Sequence, residues 1–226
     1  MKISKKRHLE IAIESIPKNL NPKVQWEQYS TPAKIAADLV WNANSLGDIF
    51  EKTILDLGCG TGIFTLSPLM IGAKIAIGID IDDEAIATAR GTAKDMKMAN
   101  SHFFTHDVYD INEMNEDILL KYNLADEIDL KFDTSFSNPP FGSQARSKKG
   151  ADRVFMELAM KSANVSYSFH MAETRDFVID YYERLGGKVS HEFFYKFPIK
   201  HSYDFHKKES KDIEVIVLRV IQKQRE

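Results

Sequence analysis

The stretch Thr53-Ile54-Leu55-Asp56-Leu57-Gly58-Cys59-Gly60-Thr61-Gly62 decides how the rest of the chain is read. Its first five residues are short and largely apolar, the composition of a buried strand. The three glycines that follow let the backbone turn tightly and leave no Cβ between the main chain and a ligand. A strand that runs into such a loop and then into a helix marks the ligand-binding end of an open α/β sheet, beyond the carboxyl ends of its strands. The dinucleotide pattern Gly-x-Gly-x-x-Gly fails at its third glycine, where Ile63 stands.

Outward from that loop, strands and helices alternate. A helix is expected over about 63–71, a strand over 74–79, and a helix capped by Asp82 that runs through Met96 with Asp83 and Glu84 in its first turn. A third strand covers roughly Ser101 to Thr105, and the acidic stretch from Asp107 to Asp129 is read as containing a helix. Phe132 to Ser137 reads as a fourth strand, Val154 to Ser162 as a helix, Asn164 to Phe169 as a fifth strand and Thr174 to Leu185 as a helix stopped by Gly186-Gly187. Alternation of this kind implies parallel strands joined by right-handed crossovers. Val189 to Phe197 and Ile213 to Ile221 then follow one another with no helix between them, so they pair antiparallel. Upstream, a short N-terminal helix precedes a turn around Pro17 to Pro22. Thr31-Pro32 opens a helix to about Asn44, with Thr31 as its cap and Pro32 in the first turn.

A parallel sheet that ends in an antiparallel hairpin resembles the Rossmann-like methyltransferases, whose seven strands run in the order 3-2-1-4-5-7-6 with the last strand antiparallel and helices on both faces. The carboxylates support that likeness. Asp56 stands ahead of the first glycine, which suits S-adenosylmethionine, a cofactor with a cationic amine and no pyrophosphate. Asp80, in Gly78-Ile79-Asp80-Ile81-Asp82, closes the second strand about 20 residues on, where a carboxylate binds ribose hydroxyls. Asp107-Val108 ends the third strand, where a carboxylate accepts from the adenine amine while apolar neighbours pack on the ring.

The chemistry is carried by Ser137-Asn138-Pro139-Pro140-Phe141, directly after the fourth strand. Alone, Asn-Pro-Pro is a rigid turn. At this position it resembles the Asn-Pro-Pro-Phe/Tyr motif of amino-group methyltransferases. An exocyclic amine is a poor nucleophile because its lone pair is delocalised into the ring. The Asn138 side-chain carbonyl and the Pro139 backbone carbonyl can each take one of its N–H groups and aim the lone pair at the methyl donor, with Asn138 bordering the cofactor as well. The prolines fix the backbone direction without adding competing donors. Phe141 can stack on a base drawn out of its helix or loop.

The likeness narrows further. Glu27-Gln28-Tyr29-x-Thr31, the loop 56–62, residues 78–82, Asn138-Pro139-Pro140-Phe141-Gly142, Ser202-Tyr203-x-Phe205-His206-Lys207-Lys208 and Asp212-Ile213-Glu214-Val215 together resemble the methyltransferase-like protein 5 family, which methylates N6 of an adenine in small-subunit ribosomal RNA. By that resemblance, Gln28 and Thr31 close over the methionine end of the cofactor with Gly58, Gly60, Thr61, Gly62 and Ile63. Asp80, Ile81, Asp107 and Val108 hold the adenosine. The resemblance also implies an RNA partner and a small zinc-binding activator subunit.

The net charge of −3 argues against a generic polyanion binder, so RNA must meet local patches. Arg146, Lys148 and Lys149 flank the catalytic motif, and Tyr203, Phe205, His206, Lys207 and Lys208 interleave aromatics with cations in a pattern that suits bases and phosphates. The single cysteine, Cys59, forms no internal disulfide and lacks the partners of a nucleophile. His102 and His106 lie roughly 13 Å apart along a strand, too far to share a metal, and no metal site is expected. Without an apolar run of 18 residues, a single cytoplasmic methyltransferase domain is expected, with 1–50 as a helical extension covering the cofactor and 51–226 as the core. The alternatives are methylation of a protein glutamine at N5, methylation of RNA guanine at N2, or a non-catalytic cofactor-binding scaffold.

Overall fold

A computed structural model describes residues 2–18, 23, 30–111, 131–140, 151–199 and 211–223. In chain order the elements are α1 (Lys6–Glu14), α2 (Ala33–Ser45), β1 (Thr53–Leu57), α3 (Ile63–Met70), β2 (Ile75–Asp80), α4 (Asp83–Asp95) and β3 (Ser101–Thr105). They continue with β4 (Phe132–Ser137), α5 (Ala151–Ser162), β5 (Ala163–Met171), α6 (Arg175–Arg184), β6 (Gly187–Ile199) and β7 (Lys211–Gln222). The strands form one seven-stranded sheet in the order β3-β2-β1-β4-β5-β7-β6, as expected. Strands β1 to β5 pair parallel, whereas β7 runs antiparallel to both β5 and β6. The strand order reverses between β1 and β4, and the carboxyl ends of those two strands open the crevice where ligands bind in such sheets.

Several boundaries differ from the expected ones. Helix α5 begins at Ala151 rather than Val154, because Asp152 and Arg153 hide its first turn from an apolar pattern although an acidic residue there suits the helix dipole. The last two strands are longer at both ends than the apolar runs that mark them, since pairing between β6 and β7 extends through polar residues such as Lys188 and Asp212. A second difference concerns Thr31. Pro32 is the N-cap residue of α2 and no side chain caps that helix; the Thr31 hydroxyl is engaged elsewhere, at Asn138. Most of the acidic stretch lies outside the described residues.

One face of the sheet is covered by α1, α2 and α3. There Phe64, Phe136 and Tyr167 stack in a row, with ring centroids 5.3 and 5.1 Å apart. Such pairs contribute about 0.5–1.5 kcal/mol each beyond their buried area. The opposite face packs on α5 and α6 through Leu55, Phe132, Phe155, Met156 and Tyr182. Asp48, just past α2, fixes the helical layer to the sheet. It accepts two hydrogen bonds from Arg219 at 2.7 and 2.9 Å and one from the Tyr167 hydroxyl at 2.5 Å, while its carbonyl accepts from Thr134 at 2.7 Å. No helix among the described residues is long and apolar enough to cross a membrane.

Candidate active site

The loop after β1 is held by the end of β2. The Gly58 and Cys59 N–H groups donate to the Ile79 carbonyl at 2.8 and 3.0 Å, and the Gly60 N–H donates to the Asp80 carboxylate at 2.7 Å. The other Asp80 oxygen accepts from the Asp82 N–H at 2.9 Å. Burial pushes the Asp80 carboxyl up while these N–H groups pull it back down. Gly62 has φ of +90°, a left-handed conformation that favours glycine, and a Cβ there would sit 2.9 Å from the Phe103 ring. Beside Gly60, by contrast, a Cβ would meet no atom within 4 Å. The loop is therefore closed against the protein on one side and open on the other.

Asp56 is fully buried on β1 and accepts from the Thr65 hydroxyl at 2.8 Å. Desolvation pushes its carboxyl up to about 7, and the nearby Asp80 adds to the rise. A cationic group brought to it would restore the charged form. The sequence reading missed Thr65, whose signal is a polar residue on the otherwise apolar first turns of α3. Cys59 is a buried thiol pushed up by desolvation, consistent with a small packing residue. Thr61 and Val108 are buried, Ile63 is half-buried and Ile81 is exposed. Asp107 accepts from the Tyr109 N–H at 3.0 Å and caps the turn Val108–Asp110.

Across the crevice, side chains on a strand alternate faces, so Thr134, Phe136 and Asn138 point toward the same helical layer. That geometry brings Asn138 to Thr31: its Nδ2 donates to the Thr31 Oγ1 at 3.0 Å. The Asn138 Oδ1 is buried and has no hydrogen-bond partner among the described residues. A buried acceptor without a partner costs about 1–3 kcal/mol, and native structures keep few of them. Pro139 beside it is buried and Pro140 half-buried. On the strands behind, Ser135 bonds Ser166 at 2.9 Å and Ser137 bonds Ser168 at 3.0 Å, fixing β4 against β5. Lys23, which the sequence gave no reason to select, donates to Asp82 at 2.8 Å and ties the segment before α2 to the end of β2. Gln28, Phe141, Arg146, Lys148, Lys149, Tyr203, Phe205, His206, Lys207 and Lys208 lie outside the described residues.

A loop and carboxylates suited to a nucleoside-bearing cation thus face an unsatisfied acceptor suited to an N–H donor. The comparisons agree with that division. The family model for ribosomal protein L11 methyltransferase matches residues 41–134, less than half of the chain. The match spans the glycine loop, Asp80 and Asp107 but ends before Asn138, so it speaks to the cofactor half of the crevice. An uncharacterized protein of Methanocaldococcus jannaschii is 40% identical over 216 residues, 96% of this chain and 94% of its own length. A crystal structure from Pyrococcus horikoshii, of a protein proposed to be an RNA methyltransferase, superposes with a TM-score of 0.80 at 34% identity, covering 97% of this chain and 98% of that one. The Drosophila melanogaster rRNA N(6)-adenosine-methyltransferase Mettl5 is 33% identical over 213 residues, 93% of each chain. With a relative 33% identical along 93% of both chains, the chain belongs to the Mettl5 family of methyltransferases.

Proposed function

We propose that the chain is an S-adenosylmethionine-dependent methyltransferase acting on N6 of an adenine in RNA, with small-subunit ribosomal RNA as the substrate. The observation that carries this reading is the buried Oδ1 of Asn138, which has no hydrogen-bond partner among the described residues and is followed in the chain by the Pro139 carbonyl. Two acceptors without competing donors suit an NH₂ group, whose two hydrogens they can hold.

The residues present fit the cofactor. Asp56 answers its cationic amine, Asp80 its ribose hydroxyls, and Asp107 with Val108 its adenine, while the open side of the Gly58–Gly62 loop leaves room for close backbone approach. Gln28, Thr31, Thr61 and Ile63 line the methionine end, bordered by Asn138. When bound, S-adenosylmethionine supplies an electrophilic methyl group on a sulfonium. The protein contributes positioning and fixed dipoles, with no covalent enzyme intermediate. Asn138 and Pro139 accept the two amine hydrogens, Pro140 keeps the turn rigid, and Phe141 stacks on the target base. The lone pair of the amine is then directed away from its ring.

Arg146, Lys148 and Lys149 beside the motif, and Tyr203, Phe205, His206, Lys207 and Lys208 beyond β6, supply phosphate and stacking contacts. The whole chain acts as one domain in the cytoplasm, residues 1–50 cover the cofactor, and a small zinc-binding subunit serves as activator. Mass-spectrometric mapping of modified nucleosides in ribosomal RNA, with and without the gene, tests the assignment. One N6-methyladenosine in the small-subunit RNA is expected to vanish on deletion; unchanged adenine methylation overturns the reading.

A further inference from the structure

Thr31 precedes α2, but its side chain does not cap that helix; its hydroxyl oxygen is buried against the Asn138 amide, 107 residues away in sequence. An asparagine amide can hold a substrate amine only while its side chain is fixed in the crevice, and a threonine hydroxyl, which both donates and accepts, can anchor it. Here the Thr31 Oγ1 accepts from Nδ2, and Oδ1 is buried with no partner among the described residues.

We propose that Thr31 is a positioning residue for transfer: its hydroxyl bonds the Asn138 amide and holds that side chain in place for the substrate amine. This inference rests on the reading of Asn138 as an amine acceptor. It also gives the N-terminal segment a role beyond covering the cofactor. Lys23 bonds Asp82 at the cofactor end, and eight residues later Thr31 bonds Asn138 at the transfer end.

Thr31→Val keeps the shape and removes the acceptor, whereas Thr31→Ser keeps the acceptor. In the full chain, Thr31→Val is expected to lower kcat by about 10- to 100-fold, measured at saturating cofactor so that any change in cofactor affinity does not enter the rate. Thr31→Ser restores most of the rate. Hydrogen exchange of the Asn138 side-chain amide, read by NMR, is expected to be slow in the wild type and Thr31→Ser and fast in Thr31→Val. A Thr31→Val chain that loses cofactor affinity but keeps kcat, or whose Asn138 amide exchanges as in the wild type, overturns the proposal. The exchange measurement needs no substrate. A wild-type chain that methylates no adenine therefore sinks the function proposed above, while the amide exchange still decides the fate of this contact.

Discussion

The two ends of the crevice are finished to different degrees. At the cofactor end, the protein satisfies itself: Asp80 accepts from Gly60 and Asp82, Asp56 from Thr65, and the loop N–H groups reach the Ile79 carbonyl. At the transfer end, a buried oxygen of Asn138 has no hydrogen-bond partner among the described residues, while the nitrogen of the same amide donates to Thr31. A preformed cradle costs little to fill, which suits a cofactor that binds and leaves on every turnover. An unsatisfied acceptor favours whatever brings it a hydrogen, and a group fixed in advance lowers the barrier because it need not reorganise during reaction. On the proposed reading, binding is concentrated at the ends of β1, β2 and β3, and chemistry at the end of β4.

That division can be broken by substitution. Asn138→Ala should lower methyl transfer by about 10³-fold, the scale of removing one preorganised polar group, while calorimetry shows cofactor affinity almost unchanged. A parallel loss of both would mean that Asn138 chiefly supports the fold. Asp80→Ala should do the reverse. It leaves the Gly60 and Asp82 N–H groups without the Asp80 carboxylate and should weaken cofactor binding by about 30- to 100-fold, with kcat at saturation largely kept. Should kcat fall as far as affinity, the two ends are not separable. Gly62→Ala forces a left-handed residue into the Phe103 ring and should cost about 1–3 kcal/mol, read as a lower melting temperature. An unchanged melting temperature would show that the loop relaxes freely.

The smallest effect is one of pH. In the free chain burial holds the Asp56 carboxyl up near 7, so below that value it is largely protonated. A cationic ligand prefers the carboxylate, and protonation therefore competes with binding. Cofactor affinity should fall about tenfold from pH 8 to pH 6 and lose that dependence in Asp56→Asn. A flat profile in the wild type would place the cationic amine away from Asp56.

How much of this was legible in the sequence follows from distance along the chain. The glycine loop, Asp80 and Asn-Pro-Pro are local solutions to local problems, so their spacing against predicted strands locates them. Alternation plus one missing crossover helix marks a parallel sheet ending in an antiparallel pair, and the resemblance to the Rossmann-like methyltransferases implies the strand order. Thr31 is the instructive failure. A threonine before a proline carries the signal of a helix cap, and the partner that claims its hydroxyl is 107 residues away. The same applies to Asp48 and Arg219, 171 residues apart, whose pairing joins the helical layer to the antiparallel strands and leaves no periodic trace. Lys23 and Thr65 are likewise single polar residues whose roles exist only once the chain is folded.

The central claim is that an acceptor pair on the turn after β4 selects an adenine amine. Its most direct test offers the purified chain a methyl-labelled cofactor together with ribosomal RNA and a glutamine-bearing peptide, then separates the digested products. The account predicts label in N6-methyladenosine with the wild type and none with Asn138→Ala. Label in the peptide or in guanine would contradict it.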